Sequence, residues 1–166
     1  AEGIEVLVIN HGRYDRIDAK ELDIKHLRRT MATNFEGAFL VWEAIKSNLT
    51  NHARICVIGS QLGTRGSAHG ADYSASKAAL ATWARSLAQS LAPEGKRVNI
   101  VAPGFVDTDI LAGDSEEKRS SREAEVPLKR IGTPEDIAGT VSFLVGEESD
   151  YITGAVIHVN GGLYLP

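Results

Sequence analysis

Four short apolar runs, spaced along 166 residues, constrain this chain more than any other feature. They lie at residues 6–10, 54–60, 97–101 and 152–162. Each is too short for a helix, and each ends in glycine, proline or small polar residues, so each reads as a strand. The first, V-L-V-I-N, stops at His11 and Gly12 and has no polar alternation. That is the pattern of a buried parallel strand. Asn10 and Gly12 then fall at its C-terminal end, where ligands bind in open α/β sheets.

The stretches between the runs read as helices. Residues 27–49 carry Met31, Phe35, Ala38, Phe39, Trp42, Ile45 and Leu49 at helical spacing. From Ala71 onward the chain is rich in helix formers, with no glycine or proline until Pro93. Thr133, Pro134, Glu135 and Asp136 form a helix start: an N-cap hydroxyl, a proline in the first turn and acids at the positive end of the dipole. Residues 112–126 are highly charged with no clear apolar face. They read as a solvated helix or a mobile loop, and a substrate lid would be drawn from such a segment. Residues 1–166 are expected to form a single α/β domain.

The chemistry concentrates between Ser60 and Lys77. Ser60 ends the second apolar run, Tyr73 follows thirteen positions later across a loop with glycines at 63, 66 and 70, and Lys77 follows four further on. On a helix, Tyr73 and Lys77 share a face, one turn apart. Free tyrosine titrates near pH ~10, and a neighbouring cation stabilises the phenolate. The pair therefore predicts a lowered Tyr73 pKa and a general acid/base, with Ser60 in reach of a substrate oxygen.

Bulk properties narrow the classes. Hydrophobic residues make up 43% and charged residues 24%, ordinary for a globular protein, and the net charge of −4 argues against nucleic acid as a main partner. The single cysteine, Cys56, lies inside an apolar run; it reads as a core thiol with no intramolecular disulfide. No stretch of 18 apolar residues predicts a membrane span, and no basic segment precedes an apolar one at the start. A cytoplasmic location is expected.

Ser60, Tyr73 and Lys77 at this spacing resemble the catalytic set of the short-chain dehydrogenase/reductase family. Asn34, in N-F-E-G-A-F, resembles the asparagine of the family's N-x-x-G-x-F, which completes a tetrad and holds a water near the lysine. Ile9-Asn10-His11-Gly12 matches two positions of the family's N-N-A-G, with Ile9 replacing an asparagine and His11 a small residue. His11 and His69 are read as loop histidines. Pro103 and Gly104, with Val106 and Thr108 after them, resemble the segment that passes the nicotinamide. R-x-G-x-P-E-D-I-A, Y-I-T-G and V-x-G-G resemble the C-terminal signature, and the ending looks most like the 3-oxoacyl-[acyl-carrier-protein] reductase branch.

The resemblance implies the C-terminal portion of a Rossmann-like, doubly wound parallel sheet of about four strands. It implies an NAD(P)-dependent enzyme interconverting a carbonyl and a secondary alcohol, with NADP(H) favoured over NAD(H). Asn34, Ser60, Tyr73 and Lys77 would be catalytic. Asn10, Gly12, Tyr73, Lys77, Pro103, Gly104, Val106 and Thr108 would bind cofactor. Fatty acid biosynthesis, an acyl-thioester or small-molecule carbonyl substrate, and a homodimer or homotetramer follow from the same likeness; no metal, nucleic acid or membrane does. Lys118, Arg119, Arg122, Lys129 and Arg130 would offer a basic landing site to an acidic carrier protein. No T-G-x-x-x-G-x-G loop precedes a helix, so roughly 60–90 residues of βαβ structure are expected on a longer chain or a separate first half. A small alcohol, sugar or steroid-like substrate stays open, as does a truncated, non-catalytic interaction module.

Overall fold

The computed structural model describes residues 3–166. Strands β1 (Ile4–Ile9), β2 (Leu49–Ile58), β3 (Arg97–Pro103) and β4 (Val156–Val159) form one parallel sheet in the spatial order 1-2-3-4. The helices between them are α1 (Ile24–Met31), α2 (Gly37–Ile45), α3 (Leu62–Arg65), α4 (Ala71–Leu91), α5 (Glu116–Glu125) and α6 (Pro134–Leu144). Parallel neighbours need crossovers, and helices supply them on both faces.

Strand alternation sorts the core into two layers. Ile55 and Val57 of β2, with Val98 and Ile100 of β3, face α2 and α4, where Trp42, Leu80, Ala84 and Ala88 meet them. Cys56 and Val101 face the other way, onto Leu144, Ile137 and Val141 of α6. The small Ala84 and Ala88 let α4 lie close on the sheet. At the outer edge of the first layer, Trp83 meets the rings of Phe35, Phe39 and Trp42 at centroid distances of 6.3, 6.2 and 6.4 Å.

The helix expected over residues 27–49 runs without a break from Ile24 to Ile45, with a π-helical turn inside it, and closes in a 3-10 turn at Lys46–Asn48. Asp23 caps α1 by accepting from the His26 N–H. The π-helical turn, Ala32–Glu36, joins α1 to α2, and Leu49 opens β2 instead of closing a helix. Strand β1 was expected to be buried, yet Val6 and Val8 are 43% and 42% exposed. Among the described residues β1 pairs only with β2, so its other edge and part of its face have no cover. The last strand is shorter than residues 152–162, because Gly154 before it and Gly161 and Gly162 after it take positive φ. The charged stretch 112–126 contains the regular helix α5, capped by Ser115. The start of α6 is as read: Thr133 and Asp136 form a reciprocal capping box with Pro134 in the first turn. Among the described residues no helix is long and apolar enough to cross a membrane, and no cluster of metal-binding side chains occurs.

Candidate active site

The C-terminal ends of β1, β2 and β3 open onto one cavity of about 750 Å³. Asn10 and Gly12 enter it from the loop after β1, and Ser60 from the end of β2. Tyr73 and Lys77 enter from the first turns of α4, and Pro103, Gly104, Val106 and Thr108 from the end of β3 and beyond. Of the residues expected to be catalytic or to bind cofactor, only Asn34 lies outside the lining. It is fully buried behind it, in the π turn.

Lys77 is 3% exposed and its Nζ donates to the Ile58 carbonyl at 2.8 Å. Burial pulls its pKa down to about 8. Gly12 comes so near that a Cβ there would lie 3.2 Å from Nζ. Tyr73 presents its ring 5.8 Å from the same nitrogen.

The expected fall of the Tyr73 pKa is not found. Burial of the phenol raises it, while a hydrogen bond with Ser60 pulls in the opposite direction. The Lys77 ammonium points at the Ile58 carbonyl, and desolvation of the phenol outweighs the attraction the sequence suggested. Tyr73 therefore holds its proton at neutral pH, the state a proton donor needs.

Other contacts set the frame. Thr30 donates to the buried Asp72 carboxylate at 2.6 Å, tying α1 to the first turn of α4. A Cβ on Gly63 would meet the Lys77 and Ala78 backbone at 3.0 Å, so α3 packs directly on α4. His11 is exposed, and its ring occupies the space over Gly37, where a Cβ would lie 3.0 Å from Nε2. Ile9 is buried in the core.

The chain matches the family model described as enoyl-(acyl carrier protein) reductase over residues 1–164. It belongs to the short-chain dehydrogenase/reductase family. The 3-oxoacyl-[acyl-carrier-protein] reductase FabG of Escherichia coli (strain K12) is 42% identical over 135 residues, 80% of this chain and 55% of that protein. FabG of Vibrio cholerae is 36% identical over 165 residues, covering 98% of this chain and 68% of the relative. Among solved structures, a short-chain dehydrogenase/reductase from Brucella melitensis superposes with a TM-score of 0.94 at 32% identity, over 99% of this chain and 66% of its own. A blue fluorescent protein from a metagenomic library, solved in complex with NADPH, reaches 0.91 at 36% identity, over 98% and 66%. The chain thus spans a little over half the length of the first of these curated relatives.

Several residues of this short-chain dehydrogenase/reductase site escaped the sequence reading. Tyr14 lines the cavity and stands edge-on to Tyr73. Gln61 is buried and accepts from Asn160 at 3.2 Å. The cations of the expected basic landing site are in part paired. Arg122 is buried against the Phe105 ring and paired with Asp114, Arg119 pairs with Asp107, and Arg130 with Asp136. Three of the five charges are already neutralised by carboxylates that lie apart from them in sequence.

Proposed function

We propose that this chain carries the catalytic and substrate-binding part of an NAD(P)-dependent carbonyl reductase, of the kind that reduces 3-oxoacyl thioesters. The observation that carries the reading is the convergence of Ser60, Tyr73 and Lys77 on one cavity at the C-terminal ends of β2 and β3. The names of the curated relatives support the substrate class, and the NADPH-bound neighbour supports the cofactor. A cytoplasmic homodimer or homotetramer belongs to the same reading, and the apolar, exposed Phe39, Leu40 and Val41 of α2 suit such assembly.

The residues fit a nicotinamide dinucleotide. Gly12 leaves the space beside Lys77 free of a side chain, and Gly104 packs so tightly on Asn160 that a Cβ would lie 2.7 Å from it. Asn10, Gly12, Lys77 and the segment Pro103, Gly104, Val106 and Thr108 would hold the cofactor, which supplies hydride when bound. Tyr73 donates the proton of its phenol to the carbonyl oxygen. Ser60 fixes that oxygen by hydrogen bonding and also holds the phenol. Lys77 places a cation beside Tyr73, which favours the phenolate left behind. Asn34 keeps the loop after β1 and the start of α4 in register.

Replacing Tyr73 by Phe in the complete protein tests this reading. NADPH-dependent turnover of an acetoacetyl thioester is expected to fall by roughly 100-fold or more. Turnover that survives the change overturns the reading.

A further inference from the structure

One wall of the cavity is made by a residue to which no motif in the chain assigns a role. Tyr14 stands against Tyr73 with ring centroids 4.9 Å apart and an interplanar angle of 63°, an edge-on pair. Its hydroxyl donates to the His69 carbonyl at 2.8 Å. Its ring fills the room above Gly70, where a Cβ would sit 2.6 Å from Cε2. The Ala19 N–H donates to the Ala68 carbonyl at 2.8 Å, joining the same two loops a second time. The ring is thus held by a neighbour, a tether and a seat, and it cannot swing aside without breaking all three.

A carbonyl oxygen within reach of the Tyr73 and Ser60 hydroxyls has its two substituents pointing in different directions. Tyr14, edge-on to Tyr73, lies beside the first, and Leu62, Phe105, Ile110 and Leu111 line the cavity as well. We propose that Tyr14 is the specificity-determining residue of this site: its fixed ring confines the substituent on its side of the carbonyl to an unbranched chain. The placement of the carbonyl rests on the reductase reading above. The substrate class expected is an open-chain ketone, with ring ketones that carry bulk on both sides disfavoured by the Tyr14 ring.

Ethyl acetoacetate and trans-1-decalone serve as the linear and bicyclic probes, offered to the complete protein with NADPH. Tyr14→Ala is expected to raise kcat/KM for the bicyclic ketone relative to the linear one by roughly tenfold or more, mainly through KM. The ratio of the two dissociation constants, measured by calorimetry, is expected to move the same way. Tyr14→Phe keeps the ring and is expected to hold both ratios within about twofold of wild type. If Tyr14→Ala does not give a native melting curve, Tyr14→Leu takes its place, with a smaller shift in the same direction. Unchanged ratios, binding of neither ketone, or an equal shift in Tyr14→Phe would overturn the proposal. If neither ketone is turned over, the reductase reading falls, and the dissociation constants alone decide the role of Tyr14.

Discussion

Asn34 holds Arg13 by both backbone groups: the Arg13 N–H donates to Oδ1 at 2.7 Å and Nδ2 donates to the Arg13 carbonyl at 2.9 Å. The same Nδ2 donates to Ser76 Oγ at 2.9 Å, and the Ser76 hydroxyl donates to the Tyr73 carbonyl at 2.7 Å. One buried amide therefore joins the loop after β1 to the turn that carries Tyr73. The π turn presents it inward, a recurrent use of such turns at functional sites. Asn34→Ala leaves these buried groups without partners and is expected to cost about 2–4 kcal/mol in urea unfolding. Hydrogen exchange at the Arg13 amide should accelerate in the native protein. Wild-type protection there would mean that the loop is held by something else.

Lys77 makes stability depend on pH with a definite sign. Its folded pKa is about 8, against an ordinary value of 10.5. Between those values the unfolded chain binds a proton that the folded chain does not, so stability contributed here rises with pH across the window. It is complete above 10.5 and lost as pH falls through 8, where the buried ammonium costs on the order of 3 kcal/mol. Lys77→Met removes this dependence and leaves a constant offset from the unpaired Ile58 carbonyl. Measured from pH 7 to 10, the unfolding free energy of the wild type should rise relative to that of Lys77→Met by about that amount; a difference flat with pH refutes the burial account.

What the sequence made legible was local. Thr133 and Pro134 announce α6 within four residues, and the apolar runs announce four strands, since both signals need only near neighbours. The convergence of Ser60, Tyr73 and Lys77 was also readable, because strand ends and a helical turn fix their directions. Tyr14 was not: it meets the His69 carbonyl 55 positions away, and an aromatic residue in a polar loop carries no pattern. The Tyr73 pKa went the other way for the same reason. The nearby lysine is visible in sequence, whereas burial is a property of the assembled fold. The carboxylates facing Arg119, Arg122 and Arg130 are likewise set by folding, so a patch that looks basic in the sequence is largely paired.

Cys56 sits at the centre of the sheet, fully buried, and burial pushes its thiol up to about 11. The thiolate is the reactive form, so the native protein should be inert to a disulfide reagent at pH 8. Reaction is expected only at the rate of global unfolding, and it should become stoichiometric in denaturant. Rapid labelling under native conditions would show that β2 opens locally.

Arg97 closes the end of α6. Its guanidinium is buried and donates to the Ser149 carbonyl and hydroxyl, each at 2.7 Å, and to the Gly146 carbonyl at 3.0 Å. It also reaches the Asp150 carboxylate at 2.9 Å, but that side chain is 67% exposed. The two kinds of partner differ in worth. Solvent screens the carboxylate, whereas the carbonyls of the turn after α6 lose a buried, charged donor if the guanidinium goes. Arg97→Met is therefore expected to destabilise by about 3 kcal/mol, and Asp150→Ala by less than about 1 kcal/mol. Denaturation midpoints of the two variants separate the contributions: equal losses would assign the stabilisation to the ion pair instead of the helix end.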